Sequence, residues 1–127
     1  MGTPTLVSFD IEDGEKVVDA LDKAGLSPNV ALWAKLSDYE DWRLVIASDH
    51  LDQSSSRSGY SEINDAIRVA GIPIHRKPTI FMRPMNDPMI KALRGAYASM
   101  SDNYARLLGG QTFGDKYLED AVVYRIR

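Results

Sequence analysis

Residues 30–48, VALWAKLSDYEDWRLVIAS, read as two extended arms around a short polar turn, and this reading decides the fold. Side chains alternate across a strand, so residues two apart share a face. Val30, Leu32, Ala34 and Leu36 form an apolar set in the first arm, and Trp42, Leu44 and Ile46 form one in the second. Ser37 to Asp41 lie between them, with Ser and Asp side chains that bond nearby backbone in turns. Pairing Leu36 with Trp42, Ala34 with Leu44 and Leu32 with Ile46 puts the whole apolar set on one surface, whereas a slip of one residue mixes the faces. In that register the second face carries Trp33, Lys35, Arg43 and Val45. A tryptophan and two cations on one sheet face suit a partner interface, because Trp and Arg concentrate at interface cores. The alternative is an exposed face on which Lys and Arg stems lie over the Trp ring.

Working outward, Leu6, Val7 and Phe9 suggest a short first strand whose face includes Val7, Phe9 and Ile11, followed by an acidic break at Asp10–Gly14. A helix is expected from about Asp13 to Ala24, capped by Asp13, facing inward through Val17, Val18 and Leu21, and stopped by Gly25. Residues 49–59, DHLDQSSSRSG, read as a polar loop. A second helix over about 60–70 has the stripe Tyr60, Ile63, Ile67 and Ala70, and Gly71 ends it. Pro78–Arg83 reads as a strand that starts at its proline. Asn86-Asp87-Pro88 reads as a cap followed by proline in the first turn of a third helix through Met89, Ile90, Leu93, Tyr97 and Met100, bending near Ser101 and resuming through Tyr104 and Leu108. Thr112 and Phe113 begin a short strand, and Asp120–Arg127 forms the last one. The pattern predicts one α+β domain over residues 1–127: two layers, a mainly antiparallel sheet with about three helices on one face. The other sheet face, with Trp33, is then left for a partner, most simply a second copy of the chain.

The 127 residues carry a net charge of −3 that is unevenly distributed. Residues 1–64 hold 12 acidic against 5 basic side chains, and residues 65–127 hold 6 against 10. The halves can pair with each other, or each can meet a partner of opposite sign. Overall acidity disfavours a dedicated nucleic-acid binder. The absence of cysteine rules out disulfides, thiolate nucleophiles and zinc–thiolate sites, and it fits a reducing cytoplasm. No run is apolar enough to span a bilayer, and the first residues lack the pattern of a signal peptide.

Asp49, His50 and Asp52 are the candidate catalytic cluster, because an imidazole and two carboxylates after a strand can move protons or hold a divalent ion. No second ligand motif accompanies them, so no metal or cofactor is assigned. Arg76, Lys77 and Arg83 flank the strand at Pro78 and are candidate anion-binding residues, although they also serve as a basic balance to the acidic first half. Asp38, Glu40 and Asp41 fit a solvated turn. Ser54–Ser56 lack a nucleophile elbow, and Gly109, Gly110 and Gly114 lack the lysine of a phosphate loop. Glu40-Asp41-Trp42-Arg43 is a poor match to the carboxylate-x-Lys pattern of restriction-type nucleases.

Ala31-Leu32-Trp33, the strand Asp41–Ala47, Asn86-Asp87-Pro88 and the closing Leu118–Arg125 resemble a group of small uncharacterised bacterial proteins. The resemblance implies a bacterial cytoplasmic protein and transfers no activity. The sequence reading is therefore a non-enzymatic oligomeric interaction module, a homodimer or the partner of another protein. The alternative is a small metal-dependent hydrolase or nuclease of a bacterial defence or toxin system.

Overall fold

Both arms of the 30–48 hairpin are strands in a computed structural model of the chain, which describes residues 8–53, 56–73, 75, 77–98 and 109–127. Strand β1 spans Val30–Leu36 and β2 spans Arg43–Ala47. β3 (Ile80–Met82), β4 (Gln111–Phe113) and β5 (Lys116–Ile126) complete a sheet of order β3-β2-β1-β5-β4. The helices are α1 (Ser8–Lys23), α2 (Ser56–Val69) and α3 (Pro88–Tyr97). Among the described residues three of the four strand pairings are antiparallel, and β3 runs parallel to β2. The class is α+β, as expected.

The layering is not the expected one. α1 and α2 bring Val17, Leu21, Ile63 and Ile67 against Ala31, Trp33, Leu44 and Ile46 on one sheet face. α3 brings Met89, Ile90 and Leu93 against Val30, Leu32, Leu36 and Val45 on the other. The helices thus make two outer layers, and neither face of the central strand is open. Every residue of β1 is buried. The hairpin register differs accordingly: Leu32 lies opposite Val45, Trp33 opposite Leu44 and Ala34 opposite Arg43, one residue away from the one-sided pairing. A strand buried on both faces is apolar on both, so alternation loses its power to set register.

Lys35 is the one charged residue in β1, and it is 5% exposed. Its ammonium donates to the Leu36 carbonyl at 3.1 Å, to the Tyr39 carbonyl, and to Glu119 Oε2 at 2.8 Å. All three ammonium protons thus have an acceptor. This satisfies the burial requirement for a charge and ties the hairpin turn to β5.

The first strand expected around Val7, Phe9 and Ile11 is replaced where it is described: Phe9 and Ile11 belong to α1, while Leu6 and Val7 lie outside the described residues. Asp13 is in the body of the helix rather than at its cap. Gly14 also lies within the helix, at a point where side chains of the sheet come close to its backbone. Trp33 Nε1 donates to the Asp10 carbonyl at 3.1 Å, and the Tyr124 hydroxyl donates to the Ile11 carbonyl. A Cβ on Gly14 would meet that hydroxyl and lie 2.6 Å from Trp33 Nε1. At the other end of α1, Arg125 holds Asp22 with two parallel bonds of 2.9 and 2.8 Å and also donates to the Pro28 carbonyl. Gly25 (φ 80°) and Gly71 (φ 77°) end α1 and α2 in the left-handed conformation that favours glycine.

α2 starts four residues earlier than its apolar stripe suggested, and Ala70 is exposed just past its end. The α2 hydroxyl of Tyr60 accepts the Met82 N–H at 2.9 Å, which occupies a donor of the edge strand β3. α3 begins as expected. Asp87 accepts from Met89 N at 3.0 Å and Ile90 N at 3.4 Å, and Pro88 follows it. Asp87 is 4% exposed, and its charge is met by Arg83, whose Nη2 lies 2.6 Å away. The expected continuation through Met100, Tyr104 and Leu108 lies outside the described residues. β5 is four residues longer at its start than expected, and Gly114 (φ 61°) turns β4 into it directly against the Pro88 backbone.

Two outcomes follow. Gly14→Ala overpacks the α1–Trp33–Tyr124 junction and lowers unfolding free energy in urea by about 1–3 kcal/mol. The Arg125 hydrogen bonds favour the charged Asp22 and hold its pKa below the ordinary 3.8. Their stabilisation is full above the ordinary value and is lost as pH falls through the lowered one. Asp22→Asn therefore destabilises the protein near neutrality, and its deficit against wild type shrinks below about pH 4 in acid-titrated urea melts.

Candidate functional site

Four residues expected on an open sheet face are instead part of the packing. Trp33 is 5% exposed beneath α1, and Val45 is fully buried beneath α3. Lys35 is spent on the turn, and it no longer faces Arg43, which lies on the other side of the sheet. Arg43 stacks its guanidinium 3.9 Å from the centre of the Tyr39 ring, and Phe81 lies beyond at 5.8 Å. Its Nε is buried without a hydrogen-bond partner among the described residues. These positions do not form an accessible surface of this fold, because the covering helices already occupy both faces.

Asp49, His50 and Asp52 follow β2, as the sequence indicates, but their partners pull them apart. Asp49 is exposed, and its own N–H donates to Asn29 Oδ1 at 3.1 Å. His50 Nε2 lies 3.5 Å from Glu62 Oε1 of α2 in an exposed pair. Asp52 accepts the Met85 N–H at 3.2 and 3.0 Å, clamping the short 3-10 turn Leu51–Gln53 to the segment before α3. Among the described residues no group of three or more His, Asp or Glu is placed to hold a metal ion. Of the basic candidates, Arg76 lies outside the described residues and Lys77 precedes β3. Arg83 follows β3 and is tied to Asp87 through Nε at 2.9 Å as well as Nη2.

Among the described residues two concave features stand out, and they share no residue. The first is a groove of about 660 Å³ between α1 and α2. Its bed is Ala20, Ala24, Leu26, Ala66, Ala70 and Ile72. The alanines leave room between the helices, and Val69 stands beside them 84% exposed. Lys16 and Lys23 edge the α1 side together with Asp19, while Glu62 and Asp65 edge the α2 side. The second is an open cleft of about 580 Å³ at the ends of β2 and β3, lined by Leu51, Asp52, Met82–Asn86, Lys91 and Arg94. There the structure joins Arg83 to Lys91 and Arg94, two cations that sequence reasoning missed. Their only signal was spacing three apart on α3, and nothing local said that this helix folds over the end of β3.

Comparison with known proteins gave no match to any family model, curated protein or solved structure. Among the described residues no helix is long and apolar enough to cross a membrane.

The clamp assigned to Asp52 predicts that Asp52→Ala costs about 1–2 kcal/mol in urea unfolding, by leaving the Met85 N–H without its acceptor. His50→Ala, which removes only an exposed pair, changes stability by less than about 0.5 kcal/mol.

Proposed function

We propose that the chain is a non-enzymatic oligomeric interaction module, a homodimer that meets its second copy through the α1–α2 groove. The observation that carries this reading is Val69, a branched apolar side chain 84% exposed beside a bed of alanines. Water contact at such a surface is unfavourable, and an apolar knob beside a complementary hollow is what a self-matching interface needs. A two-fold axis over the groove sets α1 of one copy against α2 of the other, so that Lys16 and Lys23 meet Glu62 and Asp65. Glu62 and Asp65 already lie 3.5 Å from His50 and 2.9 Å from Arg68. Those pairs are solvent-exposed and weak, so they exchange partners at little cost. The same sign pattern opposes a parallel arrangement, in which like edges would meet.

The setting we infer is a bacterial cytoplasm. The cysteine-free composition and the resemblance of Asn86-Asp87-Pro88 and the closing strand to small bacterial proteins support it. The hydrolase alternative would need Asp49, His50 and Asp52 to act on one substrate, and each of them has a different neighbour.

Sedimentation equilibrium tests the reading. Wild type is expected at the mass of two chains. Val69→Lys, at a position exposed in the single chain, is expected to weaken association at least about tenfold while keeping the circular-dichroism spectrum of the folded chain. A strict monomer at high concentration, or a dimer indifferent to Val69→Lys, would contradict it.

A further inference from the structure

β2 and β3 are parallel, and α2 connects them, so both strands point their carboxyl ends the same way. The loops that leave those ends are where parallel strand pairs collect ligands. Here the loop after β2 supplies Leu51 and Asp52, and the loop after β3 supplies Arg83 to Asn86, and both line the 580 Å³ cleft. That volume is ordinary for a small-molecule site. α3 closes the third side with Lys91 and Arg94.

Charge decides what such a cleft holds. Arg83 is balanced from behind by the buried Asp87, and among the described residues Asp52 is the carboxylate that lines the space. Lys91 and Arg94 add two further cations, one turn apart on the same side of α3, where like charges repel unless something anionic lies between them. Arg94 donates through Nε to the Arg127 carbonyl at 2.7 Å. That bond uses one of the five guanidinium N–H donors, and the planar fork as a whole suits phosphate and carboxylate oxygens. Leu51, Met82 and Met85 add an apolar part to a lining that is otherwise largely polar, and the space is larger than a bare inorganic ion fills.

We propose that this cleft is a binding site for a small organic anion: a phosphate monoester or carboxylate bound by Lys91 and Arg94, with an apolar group against Leu51, Met82 and Met85. The site stands apart from the α1–α2 groove and does not depend on the dimer.

Backbone amide NMR of the whole chain, titrated separately with phenyl phosphate, benzoate and inorganic phosphate, tests it. Saturable shifts are expected at residues 51–52, 83, 85–86 and 91–94, and the two aromatic anions are expected to bind more tightly than inorganic phosphate. The tighter of the two identifies the head group. Lys91→Glu and Arg94→Gln should each weaken binding at least about tenfold, the loss of one charge-assisted contact, while keeping the spectrum of a folded chain. Lys91 is exposed, so its reversal leaves the core intact. The proposal is overturned if neither aromatic anion gives saturable shifts at these residues, if the shifts centre elsewhere, or if both variants bind as wild type does.

Discussion

β1 is buried from end to end, and the rest of the molecule is arranged to keep it so. Its neighbours β2 and β5 take its backbone groups, α1 and α2 cover one row of its side chains, and α3 covers the other. A strand with both faces in the core is worth more apolar burial than one at a surface, but it allows no unmatched polar atom. Lys35 meets that condition through two carbonyls and Glu119, and Trp33 meets it through the Asp10 carbonyl. The acidic first half and basic second half also meet inside the fold. Asp22 on α1 holds Arg125 on β5, which locks the first helix to the last strand.

What was legible in the sequence was what a few neighbouring residues decide. The hairpin arms, the Asp87-Pro88 start of α3 and the glycine stops at Gly25 and Gly71 depend on local geometry and stand where the sequence puts them. Register was not legible. VALWAKL is apolar at six of its seven positions, so a one-residue shift exchanges one apolar set for another, and only the helices overhead choose between them. The start of α1 is hidden in the sequence for a related reason. Asp10–Gly14 looks like a break, yet acids suit the first turns of a helix, and Gly14 is there to admit Trp33 and Tyr124, which are far away in sequence.

Candidate sites divide along the same line. Asp49, His50 and Asp52 are close in the chain, but their roles come from Asn29, Glu62 and Met85, which only folding brings near. Proximity in sequence therefore overstated their common purpose. Arg83 stands out by its own charge. Its neighbours Lys91 and Arg94, and the alanine bed beneath Val69, exist as features only once α3 lies over β3 and α1 lies beside α2. The polar residues that looked most chemical mostly hold the frame, while the concave surfaces are built by residues that looked ordinary.

Because the chain has no cysteine, single thiols placed in β1 report on each face of the sheet without background. Ala31→Cys puts a thiol under α1 and α2, and Ala34→Cys puts one under α3. Rates of reaction with a thiol reagent in native buffer should be equally slow for the two variants, each limited by unfolding. Rapid labelling of Ala31→Cys beside a protected Ala34→Cys would mean that one face of β1 is open to water, and would contradict the account.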